Sequence, residues 1–295
     1  MQIEIARVKF SVLNETSMQL QDTDPAYGPF FREASNKSEV VDTTIRLLLG
    51  DMPGIHKQTE MFDSGQAWSM FRHHDEYRIK FQPPTFEAPL WLARIDRSFS
   101  EVIVYCGKKL VSNNNGKTVV SNPVCYPLDQ ILLMYVLAQR EGALLHAAGI
   151  DIKGRGYIFP GKSGAGKTTI MRQLAAREHM GMLSDDRVVV RKIDGSFKAY
   201  GTPWPGEAGI AENRSVPLSG IFFIAHASTN GIREITQQEA VEKILPVTSI
   251  PWYDREVMPD VLLFCGDLIT QVPTYELHFK PGNEVVDVLE DFIST

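Results

Sequence analysis

Along roughly the first 120 residues, apolar positions alternate with polar ones or gather in β-branched runs, and Pro, Gly, Asn and Asp break the runs. "IEIARVKFSV", "TTIRLLLG", "YRIKFQ" and "SEVIVYC" each predict extended chain. Asn115-Gly116 in "VSNNNGKTVV" predicts a hairpin. "HHDE" (73–76) reads as a solvated hairpin turn, because no second ligand cluster lies at useful spacing for a metal. The pattern changes near residues 121–127. "PLDQILLMYVLAQREG" is apolar nearly all round, which predicts a buried helix with Gly142 as its stop. "ALLHAAGIDI" and "GYIFP" are continuous apolar runs of the kind that strands buried on both faces show. Helical and extended segments alternate from there. Thr236 and Glu239 stand at capping-box spacing, and Asn283 caps "NEVVDVLEDFI", whose Val285, Val286, Leu289, Phe292 and Ile293 share one face. The expected organisation is a β-rich part over 1–122 and an α/β part over 123–295.

Composition narrows the function classes. At 295 residues the chain can bury a sizeable core. A net charge of −6 without a basic stripe argues against a nucleic-acid surface. Cys106, Cys125 and Cys265 form neither a CxxC pair nor a disulfide framework, so a reducing cytoplasm is the expected location. The longest apolar run, Ile131–Ala138, is too short to cross a bilayer, and charges among the first residues exclude a secretory signal. A soluble protein without a membrane or nucleic-acid partner is expected.

The sharpest motif is Gly161-Lys162-Ser163-Gly164-Ala165-Gly166-Lys167-Thr168, which matches the Walker A pattern G-x-x-x-x-G-K-[ST]. Glycines let successive N–H groups turn onto an anion, and the following helix adds its positive end. Lys167 would reach the β/γ-phosphates, Thr168 would set its hydroxyl on Mg2+, and Thr169 would serve another phosphate oxygen. Lys162 is either a second phosphate cation or an outward loop lysine. A GTPase base reader and a transporter signature are both missing downstream. "GMLSDDRVVV" then delivers Asp185 and Asp186. Paired acids at a strand end can divide metal holding from proton acceptance, although Asp-Asp-Arg is also good turn composition.

"LLHAAGIDIKGRGYIFPGKSGAGKTT", "LSDDRVVV" and "GTPWPGEAG" together resemble the catalytic domain of the HPr serine kinase family, within the phosphoenolpyruvate-carboxykinase-like P-loop fold. The likeness runs over about residues 126–290. It is closer still to HPr-kinase-related proteins that accompany modified-peptide gene clusters. The resemblance implies an α/β mixed sheet and transfer of the γ-phosphate of ATP to a serine hydroxyl. It implies that Lys167 and Thr168 serve phosphate and metal. By the same resemblance Asp185 and Asp186 supply the base and a metal contact, His146 lies on the strand entering the site, and Glu207 takes the place of a metal-associated glutamate. His146 also reads as a core histidine, and Glu207 as part of a rigid connector. HPr kinases follow that glutamate with Ile-Arg-Gly, whereas "GEAG" (206–209) holds no arginine. Phosphate removal and HPr as acceptor are therefore not carried over. Arg214 and Arg255 are unranked candidates for charge stabilisation.

The expectation is a Mg-ATP-dependent kinase acting on a hydroxyl of a small protein or peptide, with the β-rich part choosing the acceptor. A nucleotide-sensing module without transfer, or a simple ATPase, are the rivals. A homo-oligomer is left open.

Overall fold

The computed structural model describes residues 1–21, 24–32, 40–54, 59–113, 116–162, 164–177, 180–280, 282 and 284–294, and the backbone of 114. The chain forms two compact units, Met1–Pro25 with Phe31–Val136, and Ala26–Phe30 with Leu137–Thr295. The division thus falls at Val136, inside a helix, and a five-residue N-terminal segment is counted with the C-terminal unit.

The first unit is built on strands β1 (Gln2–Ile5), β2 (Val8–Asn14), β3 (Gln19–Leu20), β4 (Phe31–Arg32), β5 (Thr43–Leu49) and β6 (Thr59–Asp63). It continues with β7 (Trp68–His73), β8 (Glu76–Phe81), β9 (Trp91–Ile95), β10 (Glu101–Cys106), β11 (Val111–Asn114) and β12 (Lys117–Val120). Nine of them form one sheet in the order β4-β1-β2-β5-β10-β9-β8-β7-β6, and β11-β12-β3 form a second. Alternate side chains are buried along β1, β2, β5 and β10, as a half-buried pleated face requires. "HHDE" is indeed the turn of the β7–β8 hairpin, with His73 opposite Glu76. The 111–120 hairpin forms as well, although Asn115 lies outside the described residues. "IEIARVKFSV" is not one run but a hairpin, because Ala6 and Arg7 both adopt positive φ at its turn. Helix α1 (Leu128–Ala138) inserts Tyr135 into this unit, stacked 4.1 Å from Phe99. Such ring pairs add about 0.5–1.5 kcal/mol beyond area burial. The helix ends before Gly142, which instead opens the next strand.

The C-terminal unit is a mixed α/β structure, as expected. Its strands are β13 (Gly142–Ile152), β14 (Arg155–Pro160), β15 (Met180–Ser184), β16 (Arg187–Ile193), β17 (Ser196–Tyr200), β18 (Ser215–His226), β19 (Gly231–Glu234) and β20 (Thr274–Phe279). Its helices are α2 (Lys167–Ala175), α3 (Gln237–Ile244), α4 (Met258–Gln271) and α5 (Glu284–Ser294). Successive residues of the central strands feed opposite layers. Ile158, Ile221 and Phe223 pack with Ala240, Ile244, Val261, Phe264 and Leu268 of α3 and α4. Phe159, Phe222 and Leu277 pack with Ile170, Met171 and Leu174 of α2 and with Val285, Val286 and Leu289 of α5. The full apolar runs read from the sequence are the mark of this double burial.

β13 changes partners halfway. Gly142–His146 pairs antiparallel with β16, and from Ala147 onward the strand pairs with β14. His146 is the last residue of the first ladder. No helix among the described residues is long and apolar enough to cross a membrane.

Candidate functional site

The partner change of β13 draws three motifs together. Ala147 donates its N–H to the Asp186 carbonyl at 3.0 Å, and the Gly161 N–H donates to the His146 carbonyl at 3.1 Å. The backbone around His146 thus ties the start of the glycine-rich loop to the end of the aspartate turn. The histidine side chain bridges the same two segments: Nε2 lies 2.9 Å from Lys167 Nζ and 2.8 Å from Asp186 Oδ1. One ring nitrogen cannot at once accept from an ammonium and donate to a carboxylate, so the two contacts compete for it.

The loop runs from the end of β14 to the first residue of α2. Gly164 and Gly166 sit at φ +82° and +96°, where side chains with a Cβ are strained, and a Cβ at Gly166 would lie 3.1 Å from the Phe279 ring. The first-turn N–H groups of Lys167, Thr168 and Thr169 have no intrahelical acceptor by helix geometry, and the helix end adds positive potential, so an anion is the complementary ligand. Lys167 is buried and bends back, donating to the Gly161 carbonyl at 2.7 Å and the Lys162 carbonyl at 3.2 Å. Burial lowers its pKa, with the charges of Asp186 and Asp185 opposing and that of Arg187 adding to the fall. Lys162 is exposed, Thr168 half-buried and Thr169 exposed, and Ser163 lies outside the described residues.

The chain turns between β15 and β16, and Asp185 and Asp186 lie in that turn with separate surroundings. Ser184 Oγ accepts long bonds from the N–H groups of Asp186 and Arg187 within that bend. Asp185, 2% exposed, accepts backbone N–H bonds from Gly206 (2.8 Å), Ala208 (2.6 Å) and Ile210 (3.2 Å). It curls the "GTPWPGEAG" loop around its own carboxylate. Asp186 faces the other way, toward His146 and, at 3.4 Å, Arg187 Nε. Burial alone would raise its carboxyl pKa. The His146 hydrogen bond and the charges of Arg187, His146 and Lys167 outweigh that and hold it below the usual range.

The loop is further pinned by the Thr202 hydroxyl, which donates to the Arg187 carbonyl at 2.7 Å, and by the Trp204 indole N–H, 2.9 Å from the Tyr27 hydroxyl. Gly206 passes so close that a Cβ would meet Asp185 Oδ2 at 2.9 Å and Asp186 Cβ at 3.1 Å. Glu207, the next residue, is exposed. Arg214 pairs with Asp151 and covers Gly181, away from this cluster, and Arg255 is exposed. Among the described residues no group of three or more His, Cys, Asp or Glu is placed to hold a metal.

Lys167, His146 and Asp186 therefore converge, whereas Asp185 is spent on the loop and Glu207 stands exposed on it. Sequence reasoning passed over Arg187, Thr202 and Tyr27. Arg187 carried a signal, since it directly follows the aspartate pair; Tyr27 carried none.

The fold and site define a mixed α/β domain with a glycine-rich, lysine-ended loop set against an aspartate–histidine pair. A family model described as SynChlorMet cassette protein ScmC matches residues 120–259. Curated relatives called HPr kinase/phosphorylase match as well. That of Geobacter sulfurreducens is 23% identical over half of this chain and 44% of its own, and that of Chlorobium chlorochromatii is 25% identical over 49% and 42%. That of Caldanaerobacter subterraneus subsp. tengcongensis is 22% identical over 70% of this chain and 64% of its own. The chain thus spans under half the length of the first two relatives. The solved HPr(Ser) kinase/phosphatase of Coxiella burnetii aligns over 51% of this chain and 92% of its own, at 11% identity and a TM-score of 0.29. The chain is HPr-kinase-like and similar to a gene-cassette protein, in line with the resemblance its motifs carry.

Proposed function

We propose that the C-terminal unit is a Mg-ATP-dependent kinase that transfers the γ-phosphate to a hydroxyl, that of a serine in a small protein or peptide. The observation that carries this reading is the meeting of Lys167, His146 and Asp186 where β13 changes partners. With phosphate in the loop, the Lys167 ammonium leaves the Gly161 and Lys162 carbonyls for the β/γ-oxygens. His146 Nε2 is then free to donate to Asp186 alone, which fixes that carboxylate toward the acceptor. Asp186 takes the acceptor proton as the oxygen attacks, and Arg187 lowers the carboxylate's mobility. Catalysis here is positioning and charge stabilisation.

Mg2+ favours hard oxygens, one or two carboxylates and substrate phosphates, and keeps several waters. Thr168 and Glu207 are oxygen donors of that kind, and they would hold the ion, which would supply charge neutralisation on the phosphates and leave Asp186 to the acceptor proton. The β-rich unit would select the acceptor, and the relatives' name points to a small protein in that role. A cytoplasmic site of action accords with this chemistry.

Calorimetry on the full chain tests the reading. Lys167→Ala should abolish measurable Mg-ATP binding while circular dichroism stays unchanged; equal affinity would overturn it. A nucleotide sensor without transfer is the second reading, favoured by one observation: Asp185 is committed to three backbone N–H groups, so Asp186 alone is left for chemistry. Wild-type protein that binds ATP but adds no phosphate mass to any peptide acceptor would select it.

A further inference from the structure

If the cluster of Lys167, His146 and Asp186 handles the reacting phosphate, it sets which way a nucleotide must lie and so where its base goes. β14 has β13 on one side and β18 on the other, and β14, β18 and β20 run parallel. Their carboxyl ends therefore open on the same side, the usual place for a ligand crevice in such sheets. His146 and Asp186 stand on the β13 side. If the reacting phosphate lies there, the other end of the ligand lies toward β18 and β20.

That side carries a built wall. Ile158 pairs with Ile221, so Pro160 is level with Phe223, and β18 runs on past the loop's origin through Ile224 and Ala225 to His226. His226 is exposed, its Nε2 lies 3.3 Å from the Gly164 carbonyl, and its ring edge would be 3.8 Å from a Cβ on Gly166. Phe279, opposite His226 on β20, is buried beside it, with the ring centroids 6.4 Å apart. The strands are tied above this point, where the Ala227 N–H donates to the Phe279 carbonyl at 3.0 Å and the Lys280 N–H to Asn230 Oδ1 at 2.8 Å. An exposed imidazole on a rigid apolar footing, beside the loop and opposite the chemistry, is suited to the face of an aromatic base.

We propose that His226 is a base-stacking residue, and that the purine of a nucleoside triphosphate rests on its ring at the ends of β18 and β20. This rests on the kinase reading above, and the test separates the two. The full chain is titrated by calorimetry with Mg-ATP and with Mg-tripolyphosphate, which has the phosphates and no base. His226→Ala should weaken ATP by about 5- to 100-fold, the range of one base–aromatic stack, and leave tripolyphosphate within roughly twofold. His226→Phe, which keeps a ring and drops the bond to Gly164, should hold ATP within a few-fold of wild type. Equal weakening of both ligands by His226→Ala would show that the histidine acts only through the loop and would overturn the proposal. So would unchanged ATP affinity, or wild-type protein that binds ATP no tighter than tripolyphosphate. Wild-type protein that binds neither ligand would instead overturn the phosphate-loop reading itself.

Discussion

Asp185 and Asp186 differ in what surrounds them, and the same substitution should therefore report differently at each. Asparagine at 185 keeps one acceptor oxygen and turns an N–H2 group toward backbone donors. Asp185→Asn should cost about 1–3 kcal/mol in thermal or denaturant unfolding and raise amide exchange over residues 206–210. Asp186→Asn should leave exchange there unchanged and lower phosphate transfer by about 10²–10⁴-fold. If the two variants behave alike, the division of roles is wrong. Charge on β20, one strand in from the edge of the sheet, offers a cleaner pH test. Glu276 is held down to about 2, first by the hydrogen bond from Lys243, with His278 and Arg233 adding and burial opposing. A carboxyl lowered on folding stabilises the native state above its unfolded pKa, and that contribution is lost as pH falls through the folded value. Glu276→Gln should thus lower stability by about 1 kcal/mol near neutrality, and the gap from wild type should shrink between pH about 4.5 and about 2. A gap that stays constant over a pH series of melts would contradict the assignment.

At the scale of elements, legibility followed how local the cause was. The capping box of α3 forms as read, with the Thr236 hydroxyl accepting from the Glu239 N–H and the Glu239 carboxylate accepting from the Thr236 N–H. Thr236→Ala should cost about 1 kcal/mol by thermal melting. The loop–helix signal at 161–169 was equally local. The β1–β2 turn was not legible, because Ala6 and Arg7 carry none of the Gly or Asn chemistry that marks positive φ. Nor was the partner change of β13, since an unbroken apolar run looks the same whichever strands flank it. The role of Asp185 was hidden for a related reason: its three donors are backbone groups of a segment about 20 residues downstream, and N–H groups leave no mark in a sequence. Gly206 is where that packing becomes testable. Gly206→Ala would press a methyl against both aspartates, and transfer should fall by about tenfold or more while ATP affinity changes little. Full activity in a coupled assay would show that the loop yields.

For the whole molecule, the pattern change near residues 121–127 was visible, but the division at Val136 and the assignment of residues 26–30 were not. α1 looked like an opening helix of the α/β part because only packing reveals that Tyr135 lies against Phe99 and Tyr77. A chain begun at residue 122 would lack Tyr27 and the fully buried Phe30, and the Trp204 N–H would lose its hydroxyl acceptor. Such a chain should melt at least several degrees lower than the same unit in the full protein, with an altered Trp204 emission. An unchanged melting temperature would show that the segment is dispensable.

That segment also sets a schedule. Tyr27 and Trp204 are 177 residues apart. At about 5–20 residues per second of synthesis, Tyr27 leaves the ribosome roughly 10–35 s before its partner exists. During that interval the Pro25–Phe30 turn exposes two aromatic rings with nowhere to go. A piece of the C-terminal unit is therefore among the first parts of the chain to be made, and a nascent chain stalled before Trp204 is where holding chaperones should find their grip.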